Sequence, residues 1–422
     1  RASARQRRGR AGRVQAGACF HIFSQRQHAL MEAQQLPEML RVPLESLCLQ
    51  VKQILGGSVM EQLSAAITPP DPASILYALK KLRDLAALDK EENLTPLGQH
   101  LVRMPVDARI GKMLVFGAML GCLDTILSIA GSMSGRGVFV SPRDDQDKKT
   151  ANSIRLALSK GSKSDHLASV AAYNQWIKAG EKGYGAQRRF CEENFISMQA
   201  METVEASRVD YASALADLGF IPQDVLKFVK RRDRSGTQHP EARAVLYANE
   251  SNSRIIKAVL CAGFYPNVVR VKHPEAKYVK TEGGAVLKEA AGHQLKMYAQ
   301  DVGRVFLHPS SVNFHVGRYE SNWLIYSERV QTGKVFVREV TMVPTYSLLL
   351  FGGSIEVLHQ EKMVTVDNWV RFEAPGKIAV LFRELRAEVD KLLVEKIRQP
   401  QMDLFKAPAV DVMLKLLATD GI

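Results

Sequence analysis

The 422-residue sequence has few cysteines and no long apolar stretch. Its five cysteines are scattered, and no two of them form a C-x-x-C pair. This spacing excludes a disulfide framework and the common zinc sites, so we expect no metal site and predict an intracellular compartment, cytoplasmic or nuclear. No apolar run approaches the roughly 18 residues that span a bilayer, which argues against a membrane partner.

Acidic residues are also outnumbered. The sequence has 57 Lys and Arg against 44 Asp and Glu, a formal net charge of +13. This excess favours an anionic partner, most simply nucleic acid. It is strongest in RASARQRRGRAGRV, residues 1–14, where six arginines occur without a single acid. Such a segment is either a solvated basic patch or part of a phosphate-binding site.

The arrangement within this segment favours phosphate binding. Arg10 and Arg13 lie three residues apart, so one helical turn would point both guanidinium groups the same way. Gly9 and Gly12 permit close backbone approach. Two convergent planar guanidinium groups suit polyphosphate oxygens. The apolar run at residues 18–24 (ACFHIFS) predicts a buried strand, and a disordered tail has no reason to precede a core strand.

The stretch QRRGRAGR, residues 6–13, resembles motif VI (Q-R-x-G-R-A-G-R) of the DEAH-box RNA helicases, which ends their second RecA-like domain. The resemblance implies that Gln6, Arg10 and Arg13 face the γ-phosphate of ATP, bound with Mg²⁺ between two RecA-like lobes. Arg10 and Arg13 would then be catalytic arginine fingers, typically worth ~10³–10⁵ in rate. Gln6, Gly9 and Gly12 would belong to the cofactor-binding segment.

Two motifs that this family needs for ATP hydrolysis are missing from the sequence. There is no G-x-x-x-x-G-K-[ST] loop to hold phosphates and no D-E-A-H segment to hold Mg²⁺. We therefore expect this chain alone to be inactive as an ATPase. The N-terminal motor lobe would lie outside the sequence, and the parent protein would be the enzyme, an ATP-dependent RNA helicase.

The remaining sequence predicts an α+β multidomain chain. Capped amphipathic helices come first: Thr95 with Pro96, and Ser164, mark helix starts. Ile75, Leu76, Leu79 and Leu82 are spaced as a buried stripe, and Trp176 is interpreted as a core residue. With the resemblance, the predicted parts are a truncated RecA-like edge (1–35), a winged helix (36–105), a helical ratchet bundle (106–262), an OB-fold β-barrel (263–374) and a C-terminal helical extension (375–422).

Candidate RNA-binding residues lie in the barrel region, where short strand-like segments alternate with Gly, Pro and Asn turns. They are basic or hydroxyl-bearing residues that suit a phosphate-tracking surface: His308, Ser310, Ser311, Thr332, Lys334, Arg338 and Thr341. Alternatively, half of them only cap turns, as Ser310 after Pro309 suggests. Lys334 and Arg338 are the better candidates, because alternate positions on a strand face the same side.

The resemblance implies that ATP hydrolysis in the parent protein drives 3′-to-5′ movement on single-stranded RNA and unwinding of RNA. This chain would supply the arginine fingers and the RNA-binding accessory domains, contacting mainly the RNA backbone. A different interpretation is a stand-alone, non-catalytic RNA-binding module made of the winged helix and the OB-fold.

Overall fold

The computed structural model describes residues 1–135, 137–231, 239–274, 277–281, 284–288 and 292–420. The chain divides into two compact units, residues 1–81 and 82–422, each of which is described by itself. Within the described ranges, no helix is both long enough and apolar enough to cross a membrane.

The first unit is helical. Its elements are α1 (Ala2–Arg10), α2 (Gln25–Leu30), a 3₁₀ turn (Glu38–Leu40), α3 (Glu45–Ile54), α4 (Val59–Ser64) and most of α5 (Pro72–Asp84). Serine caps begin two of these helices: Ser24 forms a capping box with Gln27, and the Ser58 hydroxyl accepts from the Glu61 N–H. These caps satisfy amide donors that the first helical turn leaves without intrahelical partners.

Two predictions for the start of the chain are wrong. Helix α1 ends at Arg10, so Arg13 lies beyond it and the two arginines do not share a helical turn. Two glycines in four residues oppose continuation, since each costs about 1 kcal/mol in a helix relative to alanine. Residues 18–24 form no strand, and Phe20 and Ile22 are fully exposed. A strand needs a hydrogen-bonded neighbour, and none lies in the described part of this unit.

The stripe predicted on α5 is confirmed at three of its four positions. Ile75, Leu79 and Leu82 are buried, whereas the side chain of Leu76 is 57% exposed. Successive residues of a helix are separated by about 100° around the helix axis. Leu76 directly follows Ile75, so it points away from the buried face, whose residues are spaced three or four apart.

Helices continue through the first part of the second unit. They are α6 (Pro96–Val102), α7 (Ala108–Met119), α8 (Leu123–Met133), α9 (Asp145–Ser159), α10 (Asp165–Gly180), α11 (Tyr184–Glu193), α12 (Met198–Asp217), α13 (Gln223–Arg231), α14 (Pro240–Ala242, continued by a π turn) and α15 (Ser253–Phe264). The predicted caps are confirmed: the Thr95 hydroxyl accepts from the Gly98 N–H and the Ser164 hydroxyl from the Leu167 N–H.

Trp176 is a core residue, as predicted. Its side chain is 2% exposed and packs with Tyr173, Met201 and Val204 from α10 and α12. Its indole N–H lies 3.2 Å from the sulfur of Met198. This tryptophan therefore holds the helical region together and is not available to stack on a base.

Five strands then close into a barrel: β1 (Val268–Lys272), β4 (Lys296–Ala299), β5 (Gly303–Leu307), β6 (Trp323–Gln331) and β7 (Val335–Met342). Strands β2 (Lys277–Thr281) and β3 (Gly284–Lys288) pair with each other in an antiparallel two-stranded sheet. The barrel order is β1-β4-β5-β7-β6, closing on β1, with only the β5–β7 pair parallel. This closed, five-stranded arrangement is the expected OB-fold.

Side chains alternate between the inside and the outside of the barrel. The interior is filled by Val269, Val271, Met297, Ala299, Val305, Leu307, Leu324, Tyr326, Val337 and Val340. Residues between these positions, including Tyr298, Phe306 and Phe336, therefore lie on the outer face. Their side chains are half-buried.

The last part of the chain packs against the barrel region. It comprises α16 (Thr345–Phe351), a sheet of β8 (Ile355–Leu358), β9 (Met363–Val366) and β10 (Val370–Glu373), then α17 (Gly376–Arg398), a 3₁₀ turn (Leu404–Lys406) and α18 (Pro408–Thr419). Arg386 of α17 donates hydrogen bonds to the carbonyls of Leu349 and Gly352 at the end of α16. The predicted C-terminal helix is confirmed.

Candidate nucleic-acid interface

A groove of about 570 Å³ lies between the helical region and the barrel. One wall is formed by the start of α7, the loop after α8, and residues of α9 and α10. The other wall is formed by the loop that follows β5 and by the paired strands β6 and β7. The groove therefore collects side chains from segments that are up to about two hundred residues apart in the sequence.

Arg155 of α9 lies across this groove. Its guanidinium group stacks on the ring of Phe139, 4.4 Å from the ring centre, and donates to the carbonyl of Ser310. Its Nε is buried and has no hydrogen-bond partner among the described residues. Arg155 therefore brings a positive charge, fixed by ring stacking, to the lining of the groove.

Arg338 of β7 faces Arg155 from the barrel side. Its Nη2 lies 3.0 Å from Nε2 of His308, and its Nη1 lies 3.8 Å from the carboxylate of Glu328. Its Nε, like that of Arg155, has no partner in the described structure. Arginine can only donate, so this contact is a hydrogen bond when Nε2 of His308 is unprotonated.

His308 also contacts Ser310, through its other ring nitrogen. Nδ1 of His308 lies 2.7 Å from the Ser310 hydroxyl oxygen and accepts from the Ser310 backbone N–H, whose nitrogen is 3.2 Å away. Burial, Arg338 and Arg155 all lower the pKa of His308, which supports the neutral form. Neutral His308 carries one ring proton, so the two donors, Arg338 and the Ser310 N–H, favour opposite tautomers of the ring.

Asp165, the first residue of α10, positions the loop that follows β5. Its carboxylate accepts from the Ser311 hydroxyl at 2.6 Å, the Val312 N–H at 2.7 Å and the Val340 N–H at 2.8 Å. All three donors belong to buried residues. Burial raises the pKa of Asp165, and the three donors oppose that shift by stabilising the carboxylate. One side chain of the helical region thus fixes two segments of the barrel.

His166, the next residue, completes a buried hydrogen-bond chain between α10 and the barrel. Its Nδ1 lies 2.8 Å from the Thr341 hydroxyl and its Nε2 lies 3.1 Å from the Ser327 hydroxyl. Ser327 donates to the Glu339 carboxylate at 2.6 Å, so it must accept from Nε2–H, leaving Nδ1 to accept from Thr341. Burial lowers the pKa of His166 to about 4.

The lowered pKa of His166 makes the free energy of unfolding depend on pH. An unfolded histidine titrates near 6.5, so between pH 6.5 and 4 the unfolded chain binds a proton that folded His166 does not. Stability is retained above pH 6.5 and is lost as the pH falls through this window. We expect the wild type to lose about 2–3 kcal/mol more unfolding free energy than His166→Gln between pH 7.5 and 4.5 in urea titrations.

Carboxylates that do not interact with His166 titrate equally in both proteins and cancel in that comparison. His315→Gln, at an exposed histidine, is the matched control and should follow the wild-type profile. Parallel pH profiles of wild type and His166→Gln would show that His166 is not buried in neutral form.

Four family models match the chain. They are the helicase associated domain (HA2), winged-helix, at residues 78–106; the helicase associated domain (HA2), ratchet-like, at 107–169; the oligonucleotide/oligosaccharide-binding (OB)-fold at 256–355; and the C-terminal domain in RNA helicases at 362–419. The groove described above lies between the ratchet-like and OB-fold matches.

Curated relatives cover the chain as well. It is 39% identical over 402 residues to the ATP-dependent DNA/RNA helicase DHX36 of Bos taurus, a match that includes 95% of this chain and 37% of the relative. It is 36% identical over 422 residues to the ATP-dependent RNA helicase dhx29 of Xenopus laevis, covering 100% of this chain and 29% of the relative. The chain belongs to the DEAH-box helicase family. It spans only about a third of the length of the curated relatives it matches.

The predicted barrel residues of this DEAH-box chain fall into three groups. His308, Ser310 and Arg338 meet in the groove. Thr332 and Lys334 are exposed near the start of β7, and Lys334 precedes the strand. Ser311 and Thr341 are buried and bonded to residues of α10, so they hold the barrel against the helical region and do not lie on the exposed surface.

The predicted nucleotide-facing residues lie in the first unit and are all exposed. Gln6 and Arg10 are one helical turn apart on α1, whereas Arg13 lies beyond its end. No acidic side chain of the described structure lies within ion-pair distance of either arginine. A side chain added at Gly9 or Gly12 would meet nothing within 4 Å. This segment of the DEAH-box chain is therefore open to a ligand.

Three groove residues were missed by the sequence interpretation: Arg109, Arg155 and Asp165. In the sequence, Asp165 resembles an ordinary first-turn acid, and Arg155 resembles one of many solvated helix cations. Arg109 donates to the carbonyl of Ser327 at 3.2 Å, a partner 218 residues away. No local pattern marks such a contact, because it exists only when α7 meets β6.

Proposed function

We propose that this DEAH-box chain is part of an ATP-dependent RNA helicase, to which it contributes arginine fingers and an RNA-binding groove. The observation that carries the proposal is the arginine-lined groove between the ratchet-like helices and the OB-fold. In the parent enzyme, ATP hydrolysis would drive 3′-to-5′ movement on single-stranded RNA and unwinding. The predicted domain limits, including a RecA-like edge at 1–35, remain part of this proposal.

The chemistry of the groove supports binding of RNA through its phosphates. The side chain of Arg338 is 42% exposed and lies 3.8 Å from the carboxylate of Glu328, and Arg155 adds a second guanidinium group to the groove lining. Phosphate oxygens only accept, and planar guanidinium groups suit them as donors. Contacts of this kind position a strand without reading its sequence, as backbone tracking requires.

The open segment at the start of the chain supports a role at ATP. Gln6, Arg10 and Arg13 are exposed and would face the γ-phosphate, while Gly9 and Gly12 leave room for the nucleotide. When bound, ATP with Mg²⁺ supplies the phosphoryl group whose hydrolysis drives movement. The guanidinium groups would stabilise the charge that develops on the transferring phosphoryl group. The phosphate-binding loop and the N-terminal lobe would come from the rest of the parent protein.

The names of the relatives support ATP dependence and a nucleic-acid substrate, since both are described as ATP-dependent helicases. Four of the five cysteines are free and buried, and none is disulfide-bonded in the described structure. This supports an intracellular compartment, cytoplasmic or nuclear, for the parent protein.

Salt dependence tests the groove directly. Each phosphate neutralised on a single strand contributes about −0.7 to the slope of log affinity against log salt concentration. We expect Lys334→Ala with Arg338→Ala to weaken binding of all single-stranded RNA sequences alike and to flatten that slope by about one to two units. Fluorescence anisotropy titrations of labelled oligonucleotides at several salt concentrations measure both quantities.

A matched double variant controls for net charge. Lys391→Ala with Lys415→Ala removes two exposed cations from α17 and α18, far along the chain from the groove-lining segments. Its slope should stay close to that of the wild type. A slope that is unchanged in the Lys334 and Arg338 variant would move the RNA site away from the barrel, to the ratchet-like helices.

A further inference from the structure

The loop between α8 and α9 brings an exposed serine to the groove. Its residues 140–142 (VSP) belong to neither a helix nor a strand, and Ser141 is exposed. Phe139 and Ser141 line the groove, whereas Val140 between them does not. Alternate residues of an extended segment point to the same side, so the Ser141 hydroxyl lies on the side of the loop that faces the groove.

This loop is held at both ends. Before the serine, the Val140 N–H donates to the carbonyl of Phe195 at 2.8 Å. After it, Asp144 caps α9, and its carboxylate accepts from two N–H groups of the first helical turn. A group attached to Ser141 would therefore stay at the groove, because the loop is anchored on either side of it.

Arg155 lies beside the same part of the loop. Its guanidinium group stacks on the ring of Phe139, two residues before Ser141. No carboxylate of the described structure lies within ion-pair distance of Arg155, whereas Arg109 and Arg338 each have an acidic neighbour. Arg155 is therefore the groove cation that is best placed to pair with an anion on Ser141.

The sequence around Ser141 suits one class of modifying enzyme. Three hydroxyl residues directly precede a proline: Thr68, Thr95 and Ser141. Proline disfavours a helical backbone at the residue before it, and proline-directed protein kinases bind such an acceptor in extended form. The Thr95 hydroxyl is engaged, since it donates to the carbonyl of Ala86 at 2.6 Å. Thr68 is exposed, but it belongs to the first unit and does not line the groove.

We propose that Ser141 is a phosphorylation site for a proline-directed protein kinase, and that its phosphate pairs with Arg155 and displaces an RNA phosphate from the groove. The inference rests on the proposed function of the groove and adds a way to control it. In the kinase reaction, the Ser141 oxygen attacks the γ-phosphorus of ATP, and the bond from that phosphorus to the bridging oxygen breaks. ADP leaves, and the hydroxyl proton passes to the kinase.

Phosphoserine competes with RNA because it offers the same chemistry. It carries about −1.5 to −2 charges at pH 7 and three acceptor oxygens, so it forms charge-assisted hydrogen bonds with an arginine, as an RNA phosphate does. Since Arg109 and Arg338 already have carboxylate neighbours, the groove has no surplus cation that could neutralise this added charge. Phosphorylation therefore weakens RNA binding and does not add a contact to it.

Kinase treatment of the full-length helicase tests this inference. The protein is incubated with ATP and a recombinant mitogen-activated protein kinase, and phosphopeptides are mapped by mass spectrometry. Ser141 should be modified in the wild type and in Thr68→Ala. At full modification, affinity for a single-stranded RNA 12-mer should fall roughly tenfold. The slope of log affinity against log salt should flatten by about 0.7 for each RNA phosphate displaced. Treatment should leave the affinity of Ser141→Ala unchanged.

Arg155→Gln tests the pairing of the phosphate with Arg155. This variant should bind RNA more weakly before treatment and should lose less affinity than the wild type on phosphorylation, because the two changes act on one contact. Arg188→Gln is the matched control at an exposed arginine of α11, and it should show the full response of the wild type. Strictly additive effects of Arg155→Gln and phosphorylation would contradict the pairing.

Absence of phosphate at Ser141 after treatment would overturn the inference. Full phosphorylation with unchanged RNA affinity and salt slope would overturn it as well, and would leave the groove intact. The proposed function fails in a different measurement, when Lys334→Ala with Arg338→Ala leaves the salt slope of the unmodified protein unchanged.

Discussion

Arg10→Ala and Arg13→Ala, each made in the full-length helicase, should lower kcat for RNA-stimulated ATP hydrolysis by ~10²-fold or more, in keeping with the usual effect of arginine fingers. Both side chains are exposed and have no acidic partner within the described structure, so their removal should not destabilise the fold. RNA affinity without nucleotide should change little. Steady-state ATPase rates and nucleotide-free RNA titrations measure the two effects separately.

Arg8→Ala provides the control for this prediction. Arg8 lies on the same helix, α1, but on the face that lines a separate small groove with Arg1 and His28. It also occupies the variable position of the motif, so its loss should leave kcat near the wild-type value. If Arg10→Ala lost RNA affinity and kept kcat, the opening segment would be an RNA-binding patch and the assignment at the γ-phosphate would fail.

Asp165→Ala should destabilise the contact between α10 and the barrel by about 3–5 kcal/mol, because each buried donor left without an acceptor costs about 1–3 kcal/mol. The affected donors are the Ser311 hydroxyl and the N–H groups of Val312 and Val340. Hydrogen exchange should therefore accelerate by roughly 10²-fold or more at these two amides. Mass spectrometry of peptides containing them measures the change.

Asp145→Ala is the matched control, since Asp145 is likewise the first residue of a helix. In the described structure its exposed carboxylate pairs with Lys148 across one turn, so its loss should leave the unfolding free energy close to that of the wild type. Asp165→Asn should be intermediate, because it keeps one acceptor oxygen. Unchanged protection of Val312 and Val340 in Asp165→Ala would show that the carboxylate does not hold the two segments together.

Much of the fold could be predicted from the sequence because its signals are local. Thr95 before Pro96 and Ser164 before α10 mark helix starts through the capping bond itself, which needs no distant partner. The barrel strands were expected from their alternation and turns, and Trp176 from its place on an amphipathic helix. Family membership was recognisable from eight residues, because motif VI requires a fixed order of arginines and glycines.

The groove could not be predicted because its parts meet only through tertiary packing. Arg155 becomes a groove residue when α9 approaches Phe139 and Ser310, and nothing around it in the sequence distinguishes it from other helix cations. Thr341 was predicted to lie on a phosphate-binding surface because it bears a hydroxyl. In the structure that hydroxyl is covered by Ser164 at the start of α10. The run at residues 18–24 has strand-like composition, yet composition cannot supply a neighbouring strand.

The bridge between Ser164 and Thr341 has a consequence for evolution and engineering. The Met342 N–H donates to the carbonyl of Lys163, so β7 continues its hydrogen bonding into the residues that begin α10. The last strand of the barrel, β7, is thus hydrogen-bonded to a segment that lies more than ninety residues before β1 in the sequence. Barrels exchanged between relatives must carry a compatible Lys163–His166 partner sequence with them, because their last strand is hydrogen-bonded to it.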